Sequence, residues 1–269
     1  MPITFASMAV DELAADKARH RATLTAPQDA YWENGIIGAS AHYVVFVDGQ
    51  PGGFCAVDSD GFLVQAFVGQ PSVLDLGRLF DAAMVSLGVS GAYAATNEPD
   101  FLAACREREQ DSAVHTLLYF DDHTVSPMGS RRLRRATPGD LESLVAMHGA
   151  EDIVDLATME AGFGGLAGYI RATIADGSLL VLDIDGEIAG SGDFRVRETW
   201  PGTADLGVVV APHRRERGVG TEILCLLKQL AAEVGAEPMC STTIENLASQ
   251  RMIEKAGMAV RHQVLRVEF

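Results

Sequence analysis

Basic residues are scarce in this chain. Its 269 residues include 21 Lys and Arg against 37 Asp and Glu, a formal net charge of −16. Nucleic-acid binding requires a basic surface that neutralises phosphates, so this balance argues against nucleic acid as a partner. An acidic surface would suit a cationic acceptor such as an amine, although acidity that serves only solubility is the commoner explanation.

Long apolar runs are also missing. Stretches such as Leu179–Leu182 and Val208–Ala211 are far shorter than the roughly 20 residues that cross a bilayer, so we expect no membrane partner. The opening residues, MPITFA, have neither the basic start nor the continuous apolar segment of a signal peptide. The chain is therefore expected to remain in the cytoplasm.

Cysteines are few and widely spaced. They show neither a pairing pattern nor a metal-ligand spacing, which is typical of a protein in a reducing compartment. We therefore expect no disulfide framework and no metal site. The cysteines are Cys55, Cys105, Cys225 and Cys240.

The chain length is comfortable for two domains of roughly 130 residues each. Residues 121–130, DDHTVSPMGS, are polar and include proline and glycine, which favours a linker. We therefore expect domains at 1–126 and 131–269. In the second domain the patterns predict helices at about 138–148, 166–175, 220–234 and 247–256, and strands at 131–136, 179–184, 187–197, 204–211, 237–244 and 260–269.

The first half faintly repeats the second. Residues 44–50, VVFVDGQ, resemble residues 180–187, LVLDIDGE, and in both an Asp-Gly pair favours a hairpin turn. Two copies of one unit are the economical interpretation. The corresponding elements of the first half are a strand at 62–68, a helix at 73–87, a strand at 91–96 and a helix at 99–109.

The most informative stretch is residues 206–221, LGVVVAPHRRERGVGT, in which an apolar strand leads through a short loop into a helix. Gly218 and Gly220 remove side chains where the helix begins, so its free N–H groups can approach a phosphate, which the helix dipole also favours. Arg215 and Arg217 add cationic groups suited to phosphate. The stretch predicts an anion-binding loop at Arg215–Thr221.

Two common phosphate-binding motifs do not match this loop. A Walker loop needs Gly-Lys-Ser/Thr, but Gly220 is followed directly by Thr221. The dinucleotide fingerprint needs a third glycine three residues later, where the chain has Ile223. A Gly-x-Gly pair by itself is more often a tight turn at a helix start than a phosphate site. A second sequence element is therefore needed to distinguish the two.

That second element is residues 246–258, NLASQRMIEKAGM. Asn246 suits a helix N-cap and Gly257 a helix end, and these structural roles alone would explain both residues. Together with the loop, however, the segment resembles the GNAT superfamily of acyl-CoA N-acyltransferases.

The resemblance covers about residues 131–269. The family has an Arg/Gln-x-x-Gly-x-Gly/Ala motif after a strand, followed downstream by Asn-x-x-Ser/Ala and a Gly-Phe-like pair. Residues 134–140, RRATPGD, are similar to the usual opening of the family. The matching positions are Arg215, Gly218, Gly220, Asn246, Ser249, Gly257 and Met258.

The resemblance implies an α/β (α+β) fold of two GNAT-like domains, each a mixed, mostly antiparallel sheet flanked by helices. It implies transfer of an acetyl group from acetyl-CoA, as cosubstrate, to a primary amine of a small molecule or peptide. In the first half, residues 68–77 have neither paired glycines nor an arginine. We therefore expect a degenerate copy without a phosphate loop. A homodimer is one option for the oligomeric state, which the sequence leaves open.

The resemblance also implies residue roles. The strand Val208, Val209 and Val210 would pair through backbone groups with the pantetheine arm, and the Val208 N–H would polarise the thioester carbonyl. Asn246 would contact the cofactor arm or a water near it. The pyrophosphate would be held by the loop residues Arg215, Glu216, Arg217, Gly218, Val219, Gly220 and Thr221.

The proton chemistry is less determined. An alkyl amine titrates near 10.4, so it needs a base at neutral pH. Three carboxylates lie near strand ends: Asp205, Glu198 and Asp193. Asp205 is closest in sequence to the thioester position and is the tentative base. Each of the three would equally suit the role of a solvated charge on a strand. Many family members carry a tyrosine acid seven residues after the asparagine, where this chain has Ile253. A non-catalytic acyl-CoA-binding regulatory module is therefore the alternative function.

Overall fold

The computed structural model describes residues 2–69, 71, 73–127, 132–149 and 164–269. The chain divides into two compact units, Met1–Leu117 with His262–Phe269, and Leu118–Arg261. The last eight residues thus belong with the first unit, whereas the sequence pattern placed all of 131–269 in one domain.

The first unit is a sheet in the strand order β1-β2-β3-β4-β5-β12-β6. Its strands are β1 (Ile3–Ser7), β2 (Ala41–Val47), β3 (Gln50–Val57), β4 (Phe62–Val68) and β5 (Gly91–Ala95), with parts of β6 (Asp111–Asp121) and β12 (Met258–Glu268). Its helices are α1 (Ala14–Arg21), a π-helical turn (Tyr31–Ile36) that continues into α2 (Ile37–Ala39), α3 (Leu76–Leu87) and α4 (Pro99–Arg106).

The end of β12 is part of the core of the first unit. It pairs antiparallel with β5, from Val264 opposite Ala95 to Glu268 opposite Gly91. Val267 is fully buried and packs in one cluster with core residues of the β-sheet and of α3 and α4. Alternate residues at the end of β12 therefore point into the core of the first unit, whose other residues come from the N-terminal half of the sequence.

The second unit is a sheet in the order β12-β6-β11-β10-β9-β8-β7. Its remaining strands are β7 (Arg134–Arg135), β8 (Leu179–Ile184), β9 (Glu187–Val196), β10 (Thr203–Val210) and β11 (Glu237–Thr243). Its helices are α5 (Leu141–His148), α6 (Leu166–Ala175), α7 (Val219–Glu233) and α8 (Leu247–Lys255), with 3-10 turns at Pro138–Asp140 and Pro212–Arg214.

Most elements expected from the sequence are confirmed to within a few residues. The β8–β9 hairpin turns at Asp185 and Gly186, both at positive φ, as the Asp-Gly pair predicted. The strand expected at 131–136 is limited to Arg134–Arg135 among the described residues, and Arg131 lies outside them. Sequence patterns did not identify β1, α1 or β6.

The two faces of the second sheet carry different helices. Gly190 and Gly192 of β9 allow α7 to approach one face closely, because a Cβ there would come within 2.7 Å of Ile223 and 2.9 Å of Leu227. On the opposite face, buried residues of α5 and α6 pack against β8 and Ala211. None of the helices in the described part of the chain is both long and apolar enough to span a bilayer.

We expect Val267→Ala to destabilise the first unit by about 2 kcal/mol, because it removes two buried carbons and leaves a cavity. Amide hydrogen exchange should accelerate in β2 and β3 and change little in β9 and β10. Val260→Ala is the matched control on the same strand, because Val260 is 38% exposed. Faster exchange confined to the second unit in Val267→Ala would contradict the assignment of this strand end.

Candidate active site

β10 and β11 diverge after a short parallel pairing. The pairing covers Thr203, Ala204 and Asp205 with the start of β11, whereas the antiparallel pairing of β10 with β9 continues to Val210. The divergence leaves a cleft of about 60 Å³. It is lined by Leu206, Gly207 and Val208 of β10 and by Leu224, Cys240, Ser241, Ser249, Met252 and Ile253.

The backbone of β10 presents alternate residues to this cleft. The Ala211 N–H donates to the Ala189 carbonyl at 3.0 Å, and the Arg197 N–H donates to the Thr203 carbonyl at 2.9 Å. Hydrogen-bonded pairs alternate along an antiparallel ladder, so the odd-numbered residues of β10 are those bonded to β9. The N–H and C=O groups of Val208 and Val210 therefore point to the side where β11 has diverged, while those of Val209 are used by β9.

The start of α7 lies directly after this strand. Gly218 is its N-cap at φ 79°, and the first hydrogen bond into the helix runs from the Glu222 N–H to the Gly218 carbonyl at 3.0 Å. The N–H groups of residues 218–221 therefore precede the helical ladder and are available to an anion. The side chains of Arg215 and Arg217 are exposed beside them.

Gly220 has a packing role as well. A Cβ there would come within 3.0 Å of Met252 Cγ and 3.3 Å of Val210 Cγ2, and the residue is buried. A side chain at Gly220 would thus push α7 away from β10 and α8 before it met any ligand. Gly220 allows the helix start to lie against the cleft, which is a different reason for glycine from the phosphate approach expected from the sequence.

Asn246 is the N-cap of α8. Its Oδ1 accepts a hydrogen bond from the Ser249 N–H at 3.1 Å. The local structural role expected from the sequence is therefore present. The Nδ2 group makes no hydrogen bond within the described residues, so it remains available as a donor.

Asp205 is held in an ion pair. Its Oδ2 lies 2.6 Å from Arg197 Nη1, and the two side chains are 12% and 5% exposed. Buried carboxylates with such a partner usually hold the structure together, since removing either charge strands the other. This arrangement favours a structural role for Asp205 over proton transfer.

Asp193 lies opposite Gly207, the residue before Val208. It is the direct cross-strand partner of Gly207, and a Cβ on Gly207 would come within 3.1 Å of Asp193 Cβ. Because Gly207 has no side chain, the Asp193 carboxylate extends over Gly207 on the face of the sheet away from α7.

Tyr169 and Arg195 complete a polar cluster around this carboxylate. The Tyr169 hydroxyl donates to Asp193 Oδ2 at 3.1 Å, and Arg195 Nη2 donates to both the hydroxyl and Asp193 Oδ1. Burial raises the pKa of Asp193 despite the opposing effect of Arg195. Burial and the neighbouring Asp193 raise the pKa of Tyr169 to about 12, so the hydroxyl stays protonated.

Other candidates take different places. His148 is buried with its Nε2 2.9 Å from Ser191 Oγ, and burial lowers its pKa to about 4, so it is neutral. His213 is exposed and lies 3.5 Å from Glu187. Neither histidine is therefore placed to act as a base. Phe163, an aromatic residue that would suit an acceptor pocket, lies outside the described residues.

The first unit diverges in the same way but differs at the helix start. β4 and β5 pair in parallel only at Phe62 and Leu63 among the described residues. The helix that follows, α3, is capped by Asp75, whose Oδ1 accepts from the Arg78 N–H at 2.8 Å. This carboxylate occupies the position in which an anion would bind, so the helix start repels a phosphate.

The end of β5 in the first unit is covered by the chain itself. Asn97 is fully buried, and its Nδ2 donates to the Ala26 and Pro27 carbonyls at 2.9 and 3.1 Å. The Thr25 N–H donates back to the Asn97 carbonyl. These hydrogen bonds hold residues 25–27 against the strand end.

Within the described ranges, no group of three or more His, Cys, Asp or Glu side chains is arranged to hold a metal ion. The polar cluster on β9 instead combines a carboxyl, a phenol and a guanidinium. Arg195 was not singled out from the sequence, although its spacing of two residues from Asp193 on a strand predicts the same face.

Known proteins support the architecture. Models of the Acetyltransferase (GNAT) domain match residues 9–122 and 131–259. A GNAT-family acetyltransferase from Colwellia psychrerythraea is 24% identical over 100% of both chains, with a TM-score of 0.85. A tandem GNAT protein from the clavulanic acid biosynthesis pathway is 15% identical over 98% of both chains, with a TM-score of 0.62.

A GCN5-related N-acetyltransferase from Sphaerobacter thermophilus is 17% identical, covers 97% of this chain and 94% of its own, and has a TM-score of 0.59. At these sequence identities the solved structures show the fold, and the two domain matches show the family. The chain belongs to the GNAT superfamily of acetyltransferases and contains two GNAT domains in tandem.

Proposed function

We propose that the second unit transfers an acetyl group from acetyl-CoA to a primary amine of a small molecule or peptide. The observation that carries this proposal is the continuity of one donor surface. The free N–H groups at the start of α7 lead directly to the cleft-facing groups of Val210 and Val208. A ligand with a pyrophosphate, an amide-containing arm and a thioester carbonyl would use all three parts.

The residues of the second unit suit each part of that ligand. Gly218–Thr221 supply N–H groups for the pyrophosphate, while Arg215 and Arg217 supply charge. Val210 and Val208 pair with the arm. The Val208 N–H donates to the thioester carbonyl, which stabilises the negative charge that develops there during attack.

Asp193 is the group we propose to accept the proton of the attacking amine, directly or through a water. Its carboxylate lies over Gly207, the residue before Val208, and its raised pKa brings it nearer to the working pH than an ordinary aspartate. Tyr169 and Arg195 fix its orientation. Both carboxylates pair with an arginine. The tentative sequence assignment to Asp205 is less favoured because its pair with Arg197 is the shorter and more buried, with Arg197 5% exposed against 33% for Arg195.

No tyrosine stands at the position usual for the acid, and Ile253 lines the cleft there. A thiol titrates near 8.5, so the thiolate leaves without much assistance. A non-catalytic acyl-CoA-binding module is the second candidate function, and Ile253 is the observation that favours it.

Other features of this proposal follow from charge and cysteines. The net charge of −16 favours an amine acceptor and disfavours nucleic acid or an anionic membrane as partner. The four cysteines are free and buried, which favours a reducing, cytoplasmic compartment. A homodimer stays one option for the assembly.

We expect Arg217→Ala to weaken CoA binding about tenfold, since a charge-assisted hydrogen bond to phosphate contributes about 1.5 kcal/mol. Isothermal titration calorimetry with CoA measures the loss. Arg171→Ala is the control, because Arg171 is an exposed arginine on α6. Affinity for acetyl-pantetheine, which lacks the pyrophosphate, should not change in Arg217→Ala. Equal CoA affinity in wild type and Arg217→Ala would argue against the loop.

We also expect one CoA to bind per chain, because Asp75 caps α3 with its own negative charge. The same titration gives the stoichiometry. A value near two would show that the first unit has kept a site. Asp75→Asn tests the physical reason: it keeps the cap but removes the charge, and the stability of the chain should hardly change.

We expect Asp193→Asn to lower the rate of thiol release from acetyl-CoA about a hundredfold with CoA affinity unchanged. The wild-type rate should fall as pH drops through the raised pKa of Asp193, because the base becomes protonated, and the variant should lose this dependence. Asp205→Asn is the matched comparison. It should instead lower the free energy of unfolding by about 3 kcal/mol, because it leaves Arg197 buried without its partner charge.

The acceptors for this assay are a panel of polyamines, aminoglycosides, amino acids and peptides. A wild-type rate of thiol release in Asp193→Asn would contradict the assignment of Asp193 as the base, but not the proposed acetyl transfer. Tight CoA binding with no thiol release above background for any acceptor would favour the binding module instead.

A further inference from the structure

Lys17 and His42 form a hydrogen-bonded pair in the first unit, far along the sequence from the cleft of β10. Lys17 Nζ lies 2.9 Å from His42 Nε2, and His42 Nδ1 lies 2.9 Å from the Ser40 carbonyl oxygen. A carbonyl oxygen only accepts, so Nδ1 carries the ring proton and Nε2 accepts from Lys17. The position of this proton is therefore fixed by Ser40.

Burial lowers the pKa of both groups. Burial lowers the pKa of Lys17 to about 8, with Glu33 opposing and Arg21 adding to this effect. Burial and then Lys17 lower the pKa of His42, which is only 4% exposed, against a smaller opposite effect of Ser40. Arg21 is itself paired with Glu33 at 2.9 Å, so these two charges partly cancel beside the amine.

We propose that Lys17 is an acylation site of this protein, at which the amine attacks an acyl thioester while His42 Nε2 accepts the proton. The Nζ–C bond forms, the C–S bond breaks, and the departing thiolate takes up the proton from His42. The products are an amide on Lys17 and a free thiol. Nζ becomes cationic and therefore acidic as the Nζ–C bond forms, so its proton passes to His42 Nε2.

The chain supplies its own comparison, because it has only three lysines. Lys228 is 7% exposed on α7, and its Nζ lies 2.6 Å from Asp121 and donates to the carbonyls of His123 and Ala256. Three acceptors hold this amine within the fold, so a thioester cannot reach it. Lys255 is exposed at the end of α8 and represents an ordinary surface lysine.

The test compares the three lysines within one folded protein. The full chain is incubated between pH 6 and 9 with acetyl-CoA or with N,S-diacetylcysteamine, a thioester that lacks the nucleotide. Acetylation of each lysine over time is measured by peptide mass spectrometry. The second donor separates this proposal from the CoA site, since it reacts without a phosphate-binding loop.

At pH 7.5 we expect Lys17 to react at least about tenfold faster than Lys255 with both donors, because an amine titrating near 8 is far more often neutral than one near 10.4. Its rate should level off above about pH 8, where the Lys17 amine is mostly neutral. Lys228 should stay unmodified. His42→Gln, which keeps a hydrogen-bond acceptor but accepts no proton, should slow Lys17 severalfold and leave Lys255 unchanged.

Equal rates of acetylation at Lys17 and Lys255 in the wild-type chain would overturn the proposal. This comparison uses only the wild-type protein, so it does not depend on the folding of a variant. An unchanged Lys17 rate in His42→Gln would also contradict it, since His42 would then have no part in the reaction. Rapid acetylation by acetyl-CoA but not by the small thioester would assign the labelling to a bound nucleotide rather than to the Lys17–His42 pair.

Discussion

The separation of β10 from β11 after Asp205 is the constraint on which the site depends. The two strands pair only from Thr203 to Asp205, so the cleft-facing groups of Val208 and Val210 lose the partners that a continuing strand would supply. Backbone polar groups need partners, and a strand edge open to a narrow cleft therefore selects an extended ligand with amide groups. Gly190 and Gly192 of the neighbouring β9 let α7 approach the sheet closely, and Gly220 brings the helix start against Val210 of β10.

The same separation of strands has two outcomes in this chain. In the second unit the helix that follows begins with a glycine N-cap, and its N–H groups stay available. In the first unit Asp75 supplies its own carboxylate to the helix start, and Asn97 holds residues 25–27 over the neighbouring strand end. Under the proposed function, the repeated architecture keeps an anion site where a glycine begins the helix and lacks one where an acidic side chain caps it. The proposal therefore depends on the residue at the helix start.

The sequence predicted the parts that depend on local chemistry. The Asp-Gly turns, the glycine-bearing loop and the Asn246 cap are local signals, and the structure places each where it was expected. Long-range pairing was not predictable in this way. The end of β12 belongs with the first unit because of the strand beside which it lies, which no local pattern encodes. Asp193 was undervalued for a similar reason, since its position over Gly207 follows from the register of β9 against β10 and from a missing side chain.

The central claim is that one continuous set of backbone donors, from Val208 to Thr221, receives an acyl-CoA. NMR titration of ¹⁵N-labelled protein with acetyl-CoA tests it directly, because the chemical shift of each backbone amide is measured separately. The account predicts large shifts at the amides of Val208, Val210 and Gly218–Thr221, a smaller shift at Val209, whose N–H is bonded to β9, and none at the start of α3. Shifts of equal size at Val209, or shifts concentrated at the start of α3, would contradict it.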